Sequence, residues 1–393
     1  MSSKVAAMNT FMFPGQGSQC KGMGGALFDE FPELTRQADE ILGYSIKDLC
    51  LEDPREELNK TAFTQPAMYV VNALSYYKRT QESTARADFF AGHSLGEFNA
   101  LLAAECFDFA TGLKLVQKRG ALMSQIANGA MAAILNATKQ EIETILVQNG
   151  LNGIDLANYN SPSQIVISGL ADEVAKAEAC FQQGSMLFVP LNTSGAFHSR
   201  FMRSVKEEFR QFVDTFELSD CKTPVIANVT ARPYRREAML ENLTGQISST
   251  VRWCESIQYL LALGVESGDP MQFEEVGTGD VLTRLALAIR KQTPAVALDE
   301  ILTQKAHGHA SSASRFEDAT RKESKPREEP VPAADKVARW NAKYPIGTRV
   351  KSLIGEYPQL ETRTQALVLF GHRAGVYIKG YNGYFDLGEI VPA

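Results

Sequence analysis

The sequence predicts an α/β fold interrupted by a small subdomain and followed by an all-β domain. Three observations carry that prediction. Short apolar runs alternate with amphipathic stretches across residues 9–296. Residues 129–199 within that span read as strand, helix, strand, helix, strand, a local order of their own. After about residue 337 the pattern changes to short runs between Gly-rich turns.

The body comprises residues 9–128 and 200–296, with strands expected at 10–13, 87–91, 224–229 and 272–276. Residues 272–279 read as a late strand and glycine turn, and are assigned to scaffold. The insert has strands at 130–134, 164–168 and 186–189, separated by helices at 139–148 and 171–183, an order that suggests a ferredoxin-like subdomain. The cleft between body and insert is the expected place for an active site.

Residues 304–336 hold seven basic and six acidic residues among Ser, Ala and Pro, with almost no bulky apolar groups. Such a segment buries too little surface to fold and reads as a disordered linker. The tail, residues 337–393, has apolar runs at 347–351, 364–370, 375–379 and 383–387. It is expected to form a small antiparallel sheet or barrel, SH3-like among the candidates. Its aromatics Trp340, Tyr344, Tyr357, Tyr377, Tyr381, Tyr384 and Phe385 read as core, with a docking face for a carrier or synthase as the alternative.

Composition narrows the function classes. The 393 residues are 44% hydrophobic and 22% charged, enough for a large core and a further domain. A net charge of −6 argues against nucleic acid or an anionic membrane as the main partner. There is no run of 18 apolar residues and no signal-type stretch at the start. Six scattered cysteines lack metal-ligand spacing, so no metal is expected, and reduced thiols in a cytoplasmic protein are the simplest account.

Gly92-His93-Ser94-Leu95-Gly96 is the most informative motif. An apolar run precedes this Gly-x-Ser-x-Gly pentapeptide, and a helical pattern from Glu97 onwards follows it. A serine on so tight a strand-to-helix turn projects its hydroxyl from the sheet edge, and the backbone N–H of the next residue, Leu95, faces the same space. This makes the body α/β-hydrolase-like and Ser94 a candidate nucleophile, against the plainer reading of a turn serine.

A serine nucleophile needs a base. His93 lies inside the elbow, where its side chain points away from the hydroxyl. His307 and His309 fall in the linker and His372 in the tail. His198 remains, in a small-residue loop after the apolar run 186–191. No Asp or Glu stands out as a third member, so a backbone carbonyl could fix the imidazole tautomer. Arg119 falls near the middle of the apolar side of a helix read over 111–127. A buried guanidinium requires a carboxylate, either internal or on a substrate. Asn160 either lines the pocket or closes a turn.

Phe13-Pro14-Gly15-Gln16-Gly17-Ser18-Gln19, the elbow with Glu97, Gln117-Lys118-Arg119-Gly120, Asn158-Tyr159-Asn160-Ser161-Pro162 and Gly195-Ala196-Phe197-His198-Ser199 together resemble the malonyl-CoA:acyl carrier protein transacylase family. The resemblance covers about residues 9–296; the last motif is more like the acyltransferases of polyketide synthases than the fatty-acid enzyme, and as a separate chain with no neighbouring ketosynthase it looks like a trans-acting one. It implies ping-pong transfer of malonyl from malonyl-CoA through a Ser94 ester to the phosphopantetheine thiol of an acyl carrier protein, with His198 as base and acid. No bound cofactor is implied. It further implies an oxyanion hole from the Gln16 and Leu95 N–H groups and a substrate-carboxylate clamp at Arg119. A crowding Phe197 would disfavour branched acyl groups. Val251-Arg252-Trp253 resembles the segment whose carbonyl, here that of Arg252, orients the histidine. The rival reading with the same nucleophile is a hydrolase that clears wrong acyl groups from carriers. A plain esterase is disfavoured by the missing acidic triad member. A docking module in the tail is the rival of another class.

Overall fold

The computed structural model describes residues 7–301 apart from Ser194, together with 333–352, 360–369, 373–379, 384–387 and 390–392. Most of the expected linker, together with His307, His309, His372, Tyr357 and Tyr381, lies outside the described residues. The linker's last residues, from Ala333, instead begin a helix, Ala333–Asn341. The chain divides into two compact units, Met1–Lys139 with Ile154–Ser311, and Gln140–Gly153 with Ser312–Ala393.

The first unit holds two sheets. In the body, β1 (Met8–Phe13), β2 (Phe89–Gly92), β7 (Val225–Ile226) and β8 (Met271–Glu275) form a parallel sheet in the order β7-β2-β1-β8. Both faces of a parallel sheet are covered, and the strands are accordingly apolar: Phe11, Met12 and Phe13 of β1 are almost fully buried. β7 is shorter than the expected 224–229. The chain leaves the ladder because Asn228 turns its backbone and side chain toward the elbow, as described below.

The insert sheet is antiparallel in the order β4-β5-β3-β6, from β3 (Gly129–Leu135), β4 (Asp155–Ser161), β5 (Gln164–Leu170) and β6 (Leu187–Pro190). With helices Lys139–Gln148 and Ala171–Phe181 the order along the chain is β-α-β-β-α-β, that of a ferredoxin-like subdomain, although Gln140–Gly153 is grouped with the second unit. β4 is a strand that the sequence pattern did not show. It is an edge strand with two register irregularities, at Leu156/Asn158 and Tyr159/Ser161, and its Asn and Ser residues read as a turn.

In the second unit, two three-stranded antiparallel sheets share a small core. One has the order β10-β9-β14 (Leu360–Glu361, Arg349–Ser352, Ile390–Pro392), the other β11-β12-β13 (Leu367–Leu369, Arg373–Tyr377, Tyr384–Asp386). Trp340, Val350, Leu360, Ala366, Val376, Ile378 and Ile390 cluster in its interior, and the Trp340 and Tyr344 rings lie 4.6 Å apart. No helix of the described residues is long and apolar enough to cross a membrane.

Candidate active site

The elbow is built by close backbone packing. Ser94 lies two residues after the end of β2, adopts φ +53° and is succeeded by the helix Gly96–Ala103. This is the left-handed region, sparsely used by residues other than glycine, and it is held by its surroundings. A Cβ on Gly92 would meet the Gly96 carbonyl carbon at 2.0 Å, and one on Gly96 would meet the Phe13 carbonyl oxygen at 2.0 Å. Only glycines allow the turn. Asn228 fixes it further: its Oδ1 accepts from the Ser94 N–H at 2.7 Å and its Nδ2 donates to the Gly92 carbonyl at 2.7 Å.

Ser94 Oγ lies 2.8 Å from His198 Nε2, although 104 residues separate the two in sequence. His198 also has a positive φ, +57°, and its N–H donates to the Ile247 carbonyl. Its Nδ1 lies 2.7 Å from the carbonyl oxygen of Gln246, so Nδ1 carries the proton and Nε2 is left as an acceptor. The orienting carbonyl therefore belongs to Gln246, in the 3₁₀ turn Gln246–Ser248, and not to Arg252. The Arg252 carbonyl instead accepts from the N–H and hydroxyl of Ser256, in the first turn of the helix Trp253–Ser267. Burial, with the Arg119 cation nearby, pushes the His198 imidazole down to about 3.

Arg119 is buried on the helix Phe109–Ser124, which Asp108 caps by accepting from the Thr111 N–H. Nη1 donates to Gln65 Oε1 at 2.7 Å, and Nη2 to Gln246 Oε1 at 2.7 Å and Ser94 Oγ at 3.1 Å. Its Nε has no acceptor. Among the described residues no ion pair includes it. The internal carboxylate that burial seemed to require is not a direct partner: amides hold the guanidinium, and Glu97 stands behind Gln246. Burial lowers Arg119 to about 10, well above neutrality, so it stays charged.

The Gln16 and Leu95 backbone N–H groups donate to no protein acceptor among the described residues. The loop bearing Gln16 runs against the elbow, since a Cβ on Gly15 would stand 2.3 Å from the His93 carbonyl oxygen and 3.6 Å from the Leu95 nitrogen. His93 faces away from the serine. Its Nε2 meets Asn160 Oδ1 at 2.8 Å, and its ring lies 5.5 Å from that of Trp253. Asn160 thus sits in β4 rather than in a turn, with its Oδ1 engaged by His93. Phe197 is buried in the main core cluster, with its ring over Gly195. No group of His, Cys, Asp or Glu among the described residues could hold a metal.

Four participants were given no role by the sequence: Gln65, Asn228, Gln246, and Glu97, which entered only as the last residue of the elbow motif. Gln65 and Glu97 carried a partial signal, as polar residues in largely apolar helical runs shared with Thr61, Thr64 and Asn72 in one helix and Asn99 in the other. Gln246 and Asn228 carried none, because each is a lone amide in a turn or loop whose main-chain and side-chain contacts leave no periodic pattern.

This geometry can be compared with known proteins. The family model for the acyl transferase domain matches residues 10–268. The chain belongs to the acyl transferase family. This acyl transferase is 55% identical, over 74% of its length and 99% of the relative's, to the polyketide biosynthesis malonyl CoA-acyl carrier protein transacylase PksC of Bacillus subtilis (strain 168). It is 38% identical to the malonyl CoA-acyl carrier protein transacylase of the same organism, over 76% and 94% of the two chains. The crystal structure of the malonyl CoA-acyl carrier protein transacylase from Burkholderia pseudomallei is 60% identical and superimposes with a TM-score of 0.73, covering 74% of this acyl transferase and 100% of that chain. A malonyl-transacylase solved in complex with its type II PKS acyl-carrier protein is a further match, 29% identical with a TM-score of 0.68 over 76% and 100% of the chains.

Proposed function

We infer that this acyl transferase moves malonyl from malonyl-CoA to an acyl carrier protein, in trans for a polyketide synthase, in the cytoplasm. One observation carries the reading: a serine paired at 2.8 Å with a neutral histidine lies 3.1 Å from a buried guanidinium that has no carboxylate of its own. A nucleophile, a base and a cation with no carboxylate on its fork, together in one place, suit an acyl donor with a distal carboxylate.

The chemistry follows from the positions. Ser94 Oγ attacks the thioester carbonyl as its proton passes to His198 Nε2. The Gln16 and Leu95 N–H groups receive the developing oxyanion; losing one such donor typically costs about 100- to 1,000-fold in rate. The carbon–sulfur bond breaks and His198 returns the proton to the CoA thiolate, leaving a malonyl ester on Ser94. The phosphopantetheine thiol of the carrier then gives its proton to His198 and attacks the ester, and Ser94 Oγ recovers the proton. Arg119 forks the malonyl carboxylate throughout, a task for which a planar guanidinium is better shaped than an ammonium. Phe197, directly before the base, limits room for an α-substituent. One methyl in such a pocket is worth about 1–3 kcal/mol, so the exclusion of methylmalonyl is incomplete. Asn160 contributes by fixing His93 behind the elbow.

The test is intact-protein mass spectrometry after brief incubation with malonyl-, methylmalonyl- and acetyl-CoA, followed by addition of a holo carrier protein. A malonyl adduct that moves to the carrier and is absent from Ser94→Ala is expected. An adduct released to water rather than to the carrier would make the protein a hydrolase.

A further inference from the structure

Glu97 is a carboxylate with no exposure, set in the first turn of the helix Gly96–Ala103. Burying an ionised carboxylate is costly unless donors surround it. Three do. Oε1 accepts from the Asn228 N–H at 2.8 Å and from the Tyr234 hydroxyl at 2.9 Å, and Oε2 accepts from Gln246 Nε2 at 2.6 Å. Each of these contacts leads onward. Asn228 holds the Ser94 N–H and the Gly92 carbonyl. Gln246 holds Arg119 through Oε1 and His198 through its main-chain oxygen.

We propose that Glu97 is a positioning residue: its carboxylate fixes Gln246 and Asn228 in the orientations that serve Arg119, His198 and the Ser94 elbow. The proposal rests on the transferase reading and deepens it.

The hydrogen-bond senses make the case. Gln246 Nε2 must donate, because Glu97 Oε2 and the Ser94 carbonyl face it; Oε1 must accept, because Arg119 Nη2 faces it. A carboxylate therefore dictates one orientation of the amide. A neutral group at position 97 with a donor at Oε2 would favour the flipped amide, which sets Nε2 against the Arg119 fork, donor against donor. Glu97 also supplies the negative charge that offsets Arg119 without touching it. The titratable groups around Glu97 are Arg119, on the helix Phe109–Ser124, and Tyr234, in the segment after β7. His198 stands beyond Gln246, and Cys106 and Cys221 beyond Tyr234. Burial pushes the Glu97 carboxyl up to about 7, against the pull of its donors and Arg119, so its ionisation falls within an accessible range. His198, held near 3, does not titrate there.

The experiment measures the rate of malonyl and acetyl loading onto Ser94 in the full chain, from about pH 5 to about pH 9, for wild type, Glu97→Gln and Tyr234→Phe. Wild type should lose rate on the acid side with a midpoint near 7. Glu97→Gln should lack that limb and load both acyl groups about 10- to 100-fold more slowly, because the serine–histidine pair is disturbed as well as the clamp. Tyr234→Phe removes one donor to the carboxylate and should move the midpoint up by about one unit, which keeps the proposal open to refutation if Glu97→Gln fails to fold. Wild-type rates and an unmoved limb in the variants would overturn the proposal, as would a loss confined to malonyl. Wild type that takes no malonyl on Ser94 would instead overturn the transferase reading on which it rests.

Discussion

Replacing Arg119 by Ala tests the clamp directly. In the free protein its fork donates only to neutral oxygens, those of Gln65, Gln246 and Ser94. When a malonyl carboxylate arrives, charge-assisted bonds replace some of these. Two such bonds at about 1.5–3 kcal/mol each give about 3–6 kcal/mol gross. The neutral bonds surrendered, about 1 kcal/mol each, reduce this toward the low end, about 3 kcal/mol, or about 100-fold in kcat/KM. Acetyl has no carboxylate. For it only the 3.1 Å contact to Ser94 Oγ is lost, about 1 kcal/mol or about fivefold. The preference for malonyl over acetyl should therefore fall by more than about tenfold. The assay is the initial rate of Ser94 loading with each thioester at several concentrations, with a thermal melt to show that loss of the Gln65 and Gln246 donor has not unfolded the variant. Equal losses for malonyl and acetyl would refute the reasoning and leave Arg119 a structural residue.

Two further outcomes follow from the elbow and the base. Gly96→Ala places a Cβ 2.0 Å from the Phe13 carbonyl oxygen, a backbone atom that cannot step aside, so the variant should melt lower by about 1–3 kcal/mol or more and load no malonyl; unchanged loading would mean the elbow is looser than drawn. His198 is held neutral in the fold, with its imidazole depressed from 6.5 to about 3. Its contribution to stability is therefore present above 6.5 and is lost as pH falls toward 3, because the unfolded chain takes up the proton first. Glu97 has the opposite slope between 4.5 and about 7, but it is common to wild type and to His198→Gln, so the difference in denaturant midpoint between the two isolates the histidine. That difference should shift in favour of the variant on acidification by a few kcal/mol at most, and a difference flat with pH would contradict a buried neutral His198.

The elbow was legible because its constraint is written in residue type. Glycines at 92 and 96 flank a serine between an apolar run and a helix, and the structure gives each glycine a backbone atom at 2.0 Å. Arg119 was legible as a charge on an apolar helix face. What escaped were mostly contributions made by main-chain atoms and neutral amides, with the buried carboxylate of Glu97, whose contacts come from residues distant in sequence. The carbonyl that orients His198 comes from Gln246, whose neighbours mark only a turn, and a family-based assignment placed it six residues late at Arg252. The edge strand β4 was hidden for a related reason. Bulges break its alternation, and a buried position carries the polar Asn160, whose Oδ1 meets His93, where an apolar residue would mark a strand. The shortened β7 reflects the same competition, with Asn228 leaving the ladder to bind the elbow.

A cation can serve a substrate only if no protein carboxylate occupies its fork, and the direct partners of Arg119 meet that condition. Gln65 Oε1 accepts from Nη1 at 2.7 Å, which fixes the guanidinium without neutralising it. Gln65→Glu changes one atom group, keeps an acceptor in the same place and adds the missing charge. Fully buried, the new pair would be tight, and malonyl would compete with an internal carboxylate for the fork. A charge-assisted bond at about 1.5–3 kcal/mol implies malonyl loading slowed by about 10- to 100-fold. Acetyl has no carboxylate to exclude and should change by less than about fivefold, with a melting temperature at or above that of wild type. A variant that loads malonyl at the wild-type rate would show that the substrate carboxylate does not use this cation. One that loses both acyl groups equally would show that the added charge acts on Ser94 and His198 instead. Selective loss of malonyl, in a protein no less stable, is the result that a clamp kept deliberately unpaired requires.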